Sequence, residues 1–157
     1  MLVMLMMLPT NGGSVPDQPD QGNGSLAPQT ISAEHSRLSA LFEETRAALL
    51  GGDGREVAGA ALGRFVAAVE THLVREESLY YPTIWALRPE FKSSLLGLIG
   101  SHPVLRLLLA AIAQALDAET LEDAKRCFDQ FVDSYSQHEA AEEELLLTLD
   151  QTIATAR

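Results

Sequence analysis

The chain has 157 residues, about one domain's worth, and its 46% hydrophobic content is enough to bury a sizeable core. Lys and Arg number 11 against 22 Asp and Glu, a net charge of -11; such a surface repels nucleic acid, whose binding depends on neutralising phosphates, and does not favour anionic lipid. The single Cys127 excludes an intrachain disulfide and a multi-cysteine zinc site, and it fits a reducing compartment, so a cytoplasmic location is expected.

Residues 1–30 read as a flexible arm. The opening MLVMLMML is apolar but far shorter than the roughly 20 residues needed to cross a bilayer, and no basic residue precedes Arg37 to form the charged start of a secretory signal. No membrane association is expected. Met1, Met4, Met6 and Met7 leave a later translation start open. The following PTNGGSVPDQPDQGNGSLAPQT cannot bury enough apolar surface to offset the entropy of ordering. It reads as a disordered tail or, alternatively, as a tether for a partner.

Residues 31–152 read as one all-α domain, an up-down-up-down antiparallel four-helix bundle. The first helix is expected over Ser32–Leu50, entered at Thr30 or Ser32 and stopped by Gly51-Gly52. The second runs from about Gly54 to Tyr80, with Asp53 and Glu56 as a variant capping box, and ends before Pro82, which disfavours helical geometry at Tyr81. A longer link, Tyr81 to Arg88, leads to a third helix from about Pro89 to Leu116, and a fourth follows Asp117 and runs to about Leu149. The short connections within the first and last pairs make their helices antiparallel neighbours.

Each helix carries an apolar seam at alternating steps of three and four, the spacing of a face turned to the interior. The seams read Ile31, His35, Leu38, Phe42, Thr45, Leu49, then Ala58, Leu62, Phe65, Val69, His72, Glu76, Leu79. They continue with Leu95, Leu98, His102, Leu105, Leu109, Ile112, Leu116, and with Leu121, Ala124, Phe128, Phe131, Tyr135, His138, Glu142, Leu145, Leu149. All four histidines of the chain, and Glu76 and Glu142, therefore project into the core. His35, His72 and Glu76 superimpose on His102, His138 and Glu142 after a shift of 66 or 67 positions, an internal repeat of ligand residue types. At about 1.5 Å rise per residue the six groups also fall at a similar depth.

A carboxylate is rarely buried unless paired, and an unpaired one costs several kcal/mol. Two carboxylates among four imidazoles, with only Arg106 as nearby counter-charge, make a poor structural core. Two metal cations would neutralise the former and use the lone pairs of the latter. Residues four apart on a helix stand about 6 Å from each other on one face, so one metal can draw on both groups of His-x-x-x-Glu. Imidazole with carboxylate suits Fe, Mn or Zn.

The order H…HxxxE…H…HxxxE, with HLVREESLYYP (72–82) and HEAAEEELLLTL (138–149), resembles the hemerythrin-like (HHE cation-binding) domain family over about Ile31 to Leu149. The resemblance implies a bundle holding a non-haem di-iron centre. His35, His72, His102 and His138 would then be terminal ligands, with Glu76 and Glu142 bridging. It departs from oxygen-carrying hemerythrins at Arg106, where those have a fifth histidine in HxxxH; Arg106 fits either a partner behind a bridging glutamate or bound anion, or a side chain reaching solvent along the seam. Pro103 directly after His102 predicts an irregular third helix at the metal layer, or a restart at Ser101. Glu77, Glu143 and Glu144 read as a solvated acidic face, with Glu77 or Glu143 as alternative ligands. Tyr80 and Tyr135 read as core residues within reach of the site, and Cys127 as off the seam.

The function expected is binding. The centre would sense, store or carry iron or a small ligand (dioxygen, nitric oxide or peroxide), with no nucleic-acid or membrane partner. The alternatives are a di-iron enzyme (peroxide breakdown, nitric oxide reduction or ferroxidase chemistry) and a metal-stapled interaction module.

Overall fold

The computed structural model of the protein describes residues 28–51, 54–118 and 120–155. The expected arm before residue 28 lies outside them, as does Asp53 of the expected capping box. The described residues are all helical, without strands: α1 (Pro28–Gly51), α2 (Arg55–Arg75), a π-turn (Glu76–Tyr80), α3 (Tyr81–Leu87), a 3-10 turn (Pro89–Phe91), α4 (Lys92–Asp117) and α5 (Leu121–Thr155). The outer ends overrun the expected ones. Pro28 suits a first helical turn, and neither Gly nor Pro follows Leu149 to stop α5. The α2 N-cap is Gly54, at φ 94°, without a side-chain cap; this left-handed conformation favours glycine.

The seams form two apolar clusters with a polar layer between them. Leu38, Phe42, Leu49, Phe65, Val69, Leu73, Leu105, Ile112, Phe128 and Phe131 belong to the larger cluster, and Tyr80, Tyr81, Ile84, Leu95, Leu98 and Leu145 form the smaller. Along α4 the order is Leu98, His102, Leu105; along α5 it is Phe131, His138, Glu142, Leu145. The histidines and glutamates thus occupy the boundary between the two clusters. Arg55–Leu87 and Pro89–Asp117 are long and apolar enough to cross a membrane by length and composition alone, but it is their His and Glu residues that lie in this buried layer.

Two local expectations are corrected. The second helix does not stop before Pro82: the link expected at Tyr81 to Arg88 is mostly α3. The π-turn makes this possible. The Tyr81 N–H reaches back five residues to the Glu76 carbonyl, so the chain gains a residue per turn and Pro82 falls in a first turn, where its missing N–H is not needed. The extra residue also rotates the seam. Leu79, placed inside by simple periodicity, is 52% exposed, while Tyr80 and Tyr81 are 5% and 1% exposed. The second correction is at Pro103, which lies inside an unbroken α4. Its ring is on the exposed side of the helix.

Candidate metal centre

The six seam residues meet. His35 and His72 form one imidazole pair, ring centroids 5.0 Å apart, and His102 and His138 a second at 5.1 Å. Glu76 lies between the pairs: Oε1 is 3.0 Å from His72 Nε2, while Oε2 is 3.3 Å from His102 Nε2 and 3.8 Å from His138 Nε2. Glu142 Oε2 is 3.4 Å from His35 Nε2, and its Oε1 accepts a hydrogen bond from the Tyr81 hydroxyl at 3.4 Å. Potential ligand atoms fall into two groups, each within 4.8 Å: His35, His72, Glu139 and Glu142, and Glu76, His102 and His138.

Glu76 and His102 are fully buried, and His72, His138 and Glu142 are 2–3% exposed; His35 keeps 28% of its side chain exposed. Despite these short separations, all four Nε2 atoms, both Glu76 oxygens, Glu142 Oε2 and Glu139 Oε1 are buried without a hydrogen-bond partner. Orphaned buried polar atoms are costly. Here they belong to residues whose potential ligand atoms gather in two groups, each within 4.8 Å, so the residues present fit metal cations.

The opposite ring nitrogens fix the aim. His72 Nδ1 faces Glu34 at 3.4 Å, His102 Nδ1 faces Glu77 at 2.7 Å, and His138 Nδ1 faces the Ser101 hydroxyl at 2.9 Å. The Ser101 hydroxyl donates to the Leu98 carbonyl at 2.7 Å, so its oxygen accepts from His138 Nδ1–H and leaves the Nε2 lone pair free. An outward N–H held by an oxygen is the usual way a metal-binding imidazole is oriented.

Behind these groups stand the charges that sequence left open. Arg106 donates to Glu77 at 2.8 Å and to Glu70 at 2.8 and 3.0 Å. It therefore acts on His102 through Glu77, not on a bridging glutamate. Glu77 lies outside both ligand groups, Glu143 is exposed, and Cys127 packs at the edge of the larger cluster. Tyr80 donates to Glu34, and Tyr135 stacks on Phe131 and His138. Sequence reading missed Glu139, Tyr81, Glu34 and Ser101. Glu139 had a signal, three residues before Glu142 and so on its helical face. Tyr81 was hidden by the π-turn, and Glu34 and Ser101 act across helices, which periodicity does not report. Glu77→Ala is expected to weaken metal binding by about 10–100-fold, as loss of such a partner commonly does. Competition against a chelator measures this, and unchanged affinity would remove Glu77 from the role.

The electrostatics describe the metal-free state. Burial works to lower the His72 imidazole, but Glu76 and Glu142 outweigh it and push it up to about 9. His35 and His102 are likewise raised against burial, by Glu142 and Glu139 and by Glu76 and Glu77 respectively. Burial also opposes Glu76, yet His102, His138 and His72 hold it well below the usual carboxylate range. Glu142 moves up, through burial and the neighbouring Glu76, with His35 opposing. Two adjacent buried carboxylates do not readily both ionise.

A raised imidazole stabilises the fold fully below its unfolded value, 6.5, and that contribution is lost as pH rises through about 9. The raised Glu142 carboxyl acts in the same direction, whereas the depressed Glu76 contributes above its unfolded value of 4.5. The metal-free protein is therefore expected to melt highest between about pH 4.5 and 6.5 and progressively lower towards about pH 9. Metal must displace these protons, so loading at neutral pH is expected to release protons and to tighten as pH rises. Melting curves with and without metal, with proton release in weak buffer, check both. A metal-free melting temperature that climbs through this range contradicts the scheme.

An all-helical fold with a buried His/Glu cluster of this kind defines a cation-binding protein class. The family model of the hemerythrin HHE cation-binding domain matches residues 27–149, and the chain belongs to that family. No curated protein and no solved structure shows a significant match to it.

Proposed function

We propose that the protein is a non-haem di-iron protein, with His35, His72, His102 and His138 as terminal ligands and Glu76 and Glu142 shared between the two ions. It binds, senses or stores iron or a small ligand such as dioxygen, nitric oxide or peroxide. One observation carries this reading: four imidazole Nε2 atoms and three carboxylate oxygens of Glu76 and Glu142 are buried and unpartnered, on residues whose potential ligand atoms gather within 4.8 Å in two groups. Manganese or zinc would suit the same donors; family membership favours iron.

The bundle is inferred to run up-down-up-down with antiparallel neighbours. The Glu44–Arg64 and Glu34–Arg75 ion pairs support this for α1 and α2, because their sequence separation widens away from the connection. The acidic surface and lone cysteine support a water-soluble, cytoplasmic protein without nucleic-acid or membrane partners.

Iron bound there would supply a redox-active centre for capture or reduction of a small oxygen- or nitrogen-containing ligand. The chain's own residues orient and enclose that centre. Glu34, Glu77 and Ser101 hold imidazoles in place, Tyr81 holds Glu142, and Leu98, Leu105, Phe131 and Leu145 exclude water above and below the polar layer.

Metal analysis after anaerobic iron(II) loading tests the reading: about two irons per chain are expected, as in other two-metal sites. No iron, or a single tightly held zinc, rejects it. Stoichiometric, reversible spectral change with dioxygen, nitric oxide or peroxide supports binding; rapid multiple-turnover consumption would instead make the protein an enzyme.

A further inference from the structure

We infer that Glu139 is a third carboxylate ligand, serving the ion held by His35 and His72, and that the two metal positions are therefore unequal. This rests on the di-iron reading above. Three consecutive facts about α5 support it. Glu139 follows His138 directly and precedes Glu142 by three residues, so on a helix it flanks Glu142 on the side away from His138. His138 is bonded across to Ser101 of α4, while Glu139 and Glu142 both approach His35 of α1. The Glu139 carboxylate thus falls within 4.8 Å of the ligand atoms of His35, His72 and Glu142.

Its alternative role would be to hold His35 from behind, as Glu34, Glu77 and Ser101 hold the other imidazoles. The distances do not match that role. Those three Nδ1 contacts measure 3.4, 2.7 and 2.9 Å, whereas Glu139 Oε2 stands 3.9 Å from His35 Nδ1, beyond hydrogen-bond reach. Glu139 Oε1 is buried and unpartnered, like the Nε2 atoms and the Glu76 oxygens. A carboxylate with one oxygen orphaned beside three other donors is placed to ligate.

The consequence is a division of labour. His35, His72, Glu139 and Glu142, with Glu76 Oε1 beside His72, surround one position; His102, His138 and Glu76, with the shared Glu142, surround the other. The second position has fewer protein donors.

The experiment compares wild type, Glu139→Ala and Glu139→Gln, each loaded with iron-57(II) without oxygen. The readouts are iron content, chelator competition and Mössbauer spectra, with circular dichroism to check folding. In the wild type, two distinct iron environments of equal area are expected. Both variants should lose one of them, with affinity at that position falling by more than the about 10–100-fold typical of an outer partner. Wild-type spectra and affinity in both variants overturn the assignment. So does a normal Gln variant beside a defective Ala variant, which would show that Glu139 acts by hydrogen bonding. Wild type that takes up no iron overturns the di-iron reading itself, an outcome distinct from two bound irons indifferent to Glu139.

Discussion

On the di-iron reading proposed above, Glu76→Ala is expected to leave the protein unable to hold two metal ions, with bound iron falling to one per chain or none. Glu76 is fully buried, and its two oxygens face different histidine pairs, Oε1 towards His72 and Oε2 towards His102 and His138. The other carboxylate proposed to be shared, Glu142, approaches only His35 of the four imidazoles among the described contacts. Its loss would remove a ligand from each proposed position and the negative charge that would offset two adjacent cations, in surroundings where charge is poorly screened. The same substitution leaves the raised His72 and His102 imidazoles without their main carboxylate, so it is also expected to flatten the fall in metal-free stability between about pH 6.5 and 9. Metal analysis and melting curves test both parts. A Glu76→Ala protein with full iron content would show that the carboxylate does not bridge.

The largest effect on stability is expected one layer away. Phe65 has no exposed surface and packs edge-to-face on Phe131 at 5.6 Å and on Phe42 at 5.9 Å between ring centroids. Phe65→Ala is expected to cost about 3–5 kcal/mol, through lost transfer energy and the cavity left behind. That is a large share of the about 5–15 kcal/mol that holds a typical domain folded, and it corresponds to a melting temperature lower by roughly 6–20 °C in a chain of this size. Metal binds the folded state, so saturating iron is expected to recover part of the loss by mass action. Leu107→Ala is the control. Leu107 is 70% exposed, and its truncation is expected to stay within about 0.5 kcal/mol. Equal melting temperatures for the two variants would mean that Phe65 does not anchor the larger cluster.

The sequence by itself determined the helices and the six inward residues. Repetition at three and four residues puts His35, His72, Glu76, His102, His138 and Glu142 on apolar seams, and the cost of burying carboxylates and imidazoles together points to cations. Those inferences need only helical geometry and solvation, which are local or additive. Three things depended on tertiary structure. The π-turn at Glu76–Tyr80 turns Tyr81 towards Glu142 and Leu79 towards solvent; one extra residue in a turn breaks the periodicity from which the seam is read. Pro103 sits in an unbroken helix because its ring lies on the exposed side, which requires knowing what packs against α4. The groups that aim the imidazoles, Glu34, Glu77 and Ser101, each reach across to another helix. Such contacts depend on the rotation and depth of one helix against its neighbour, set by the whole core, so spacing along the chain carries no record of them.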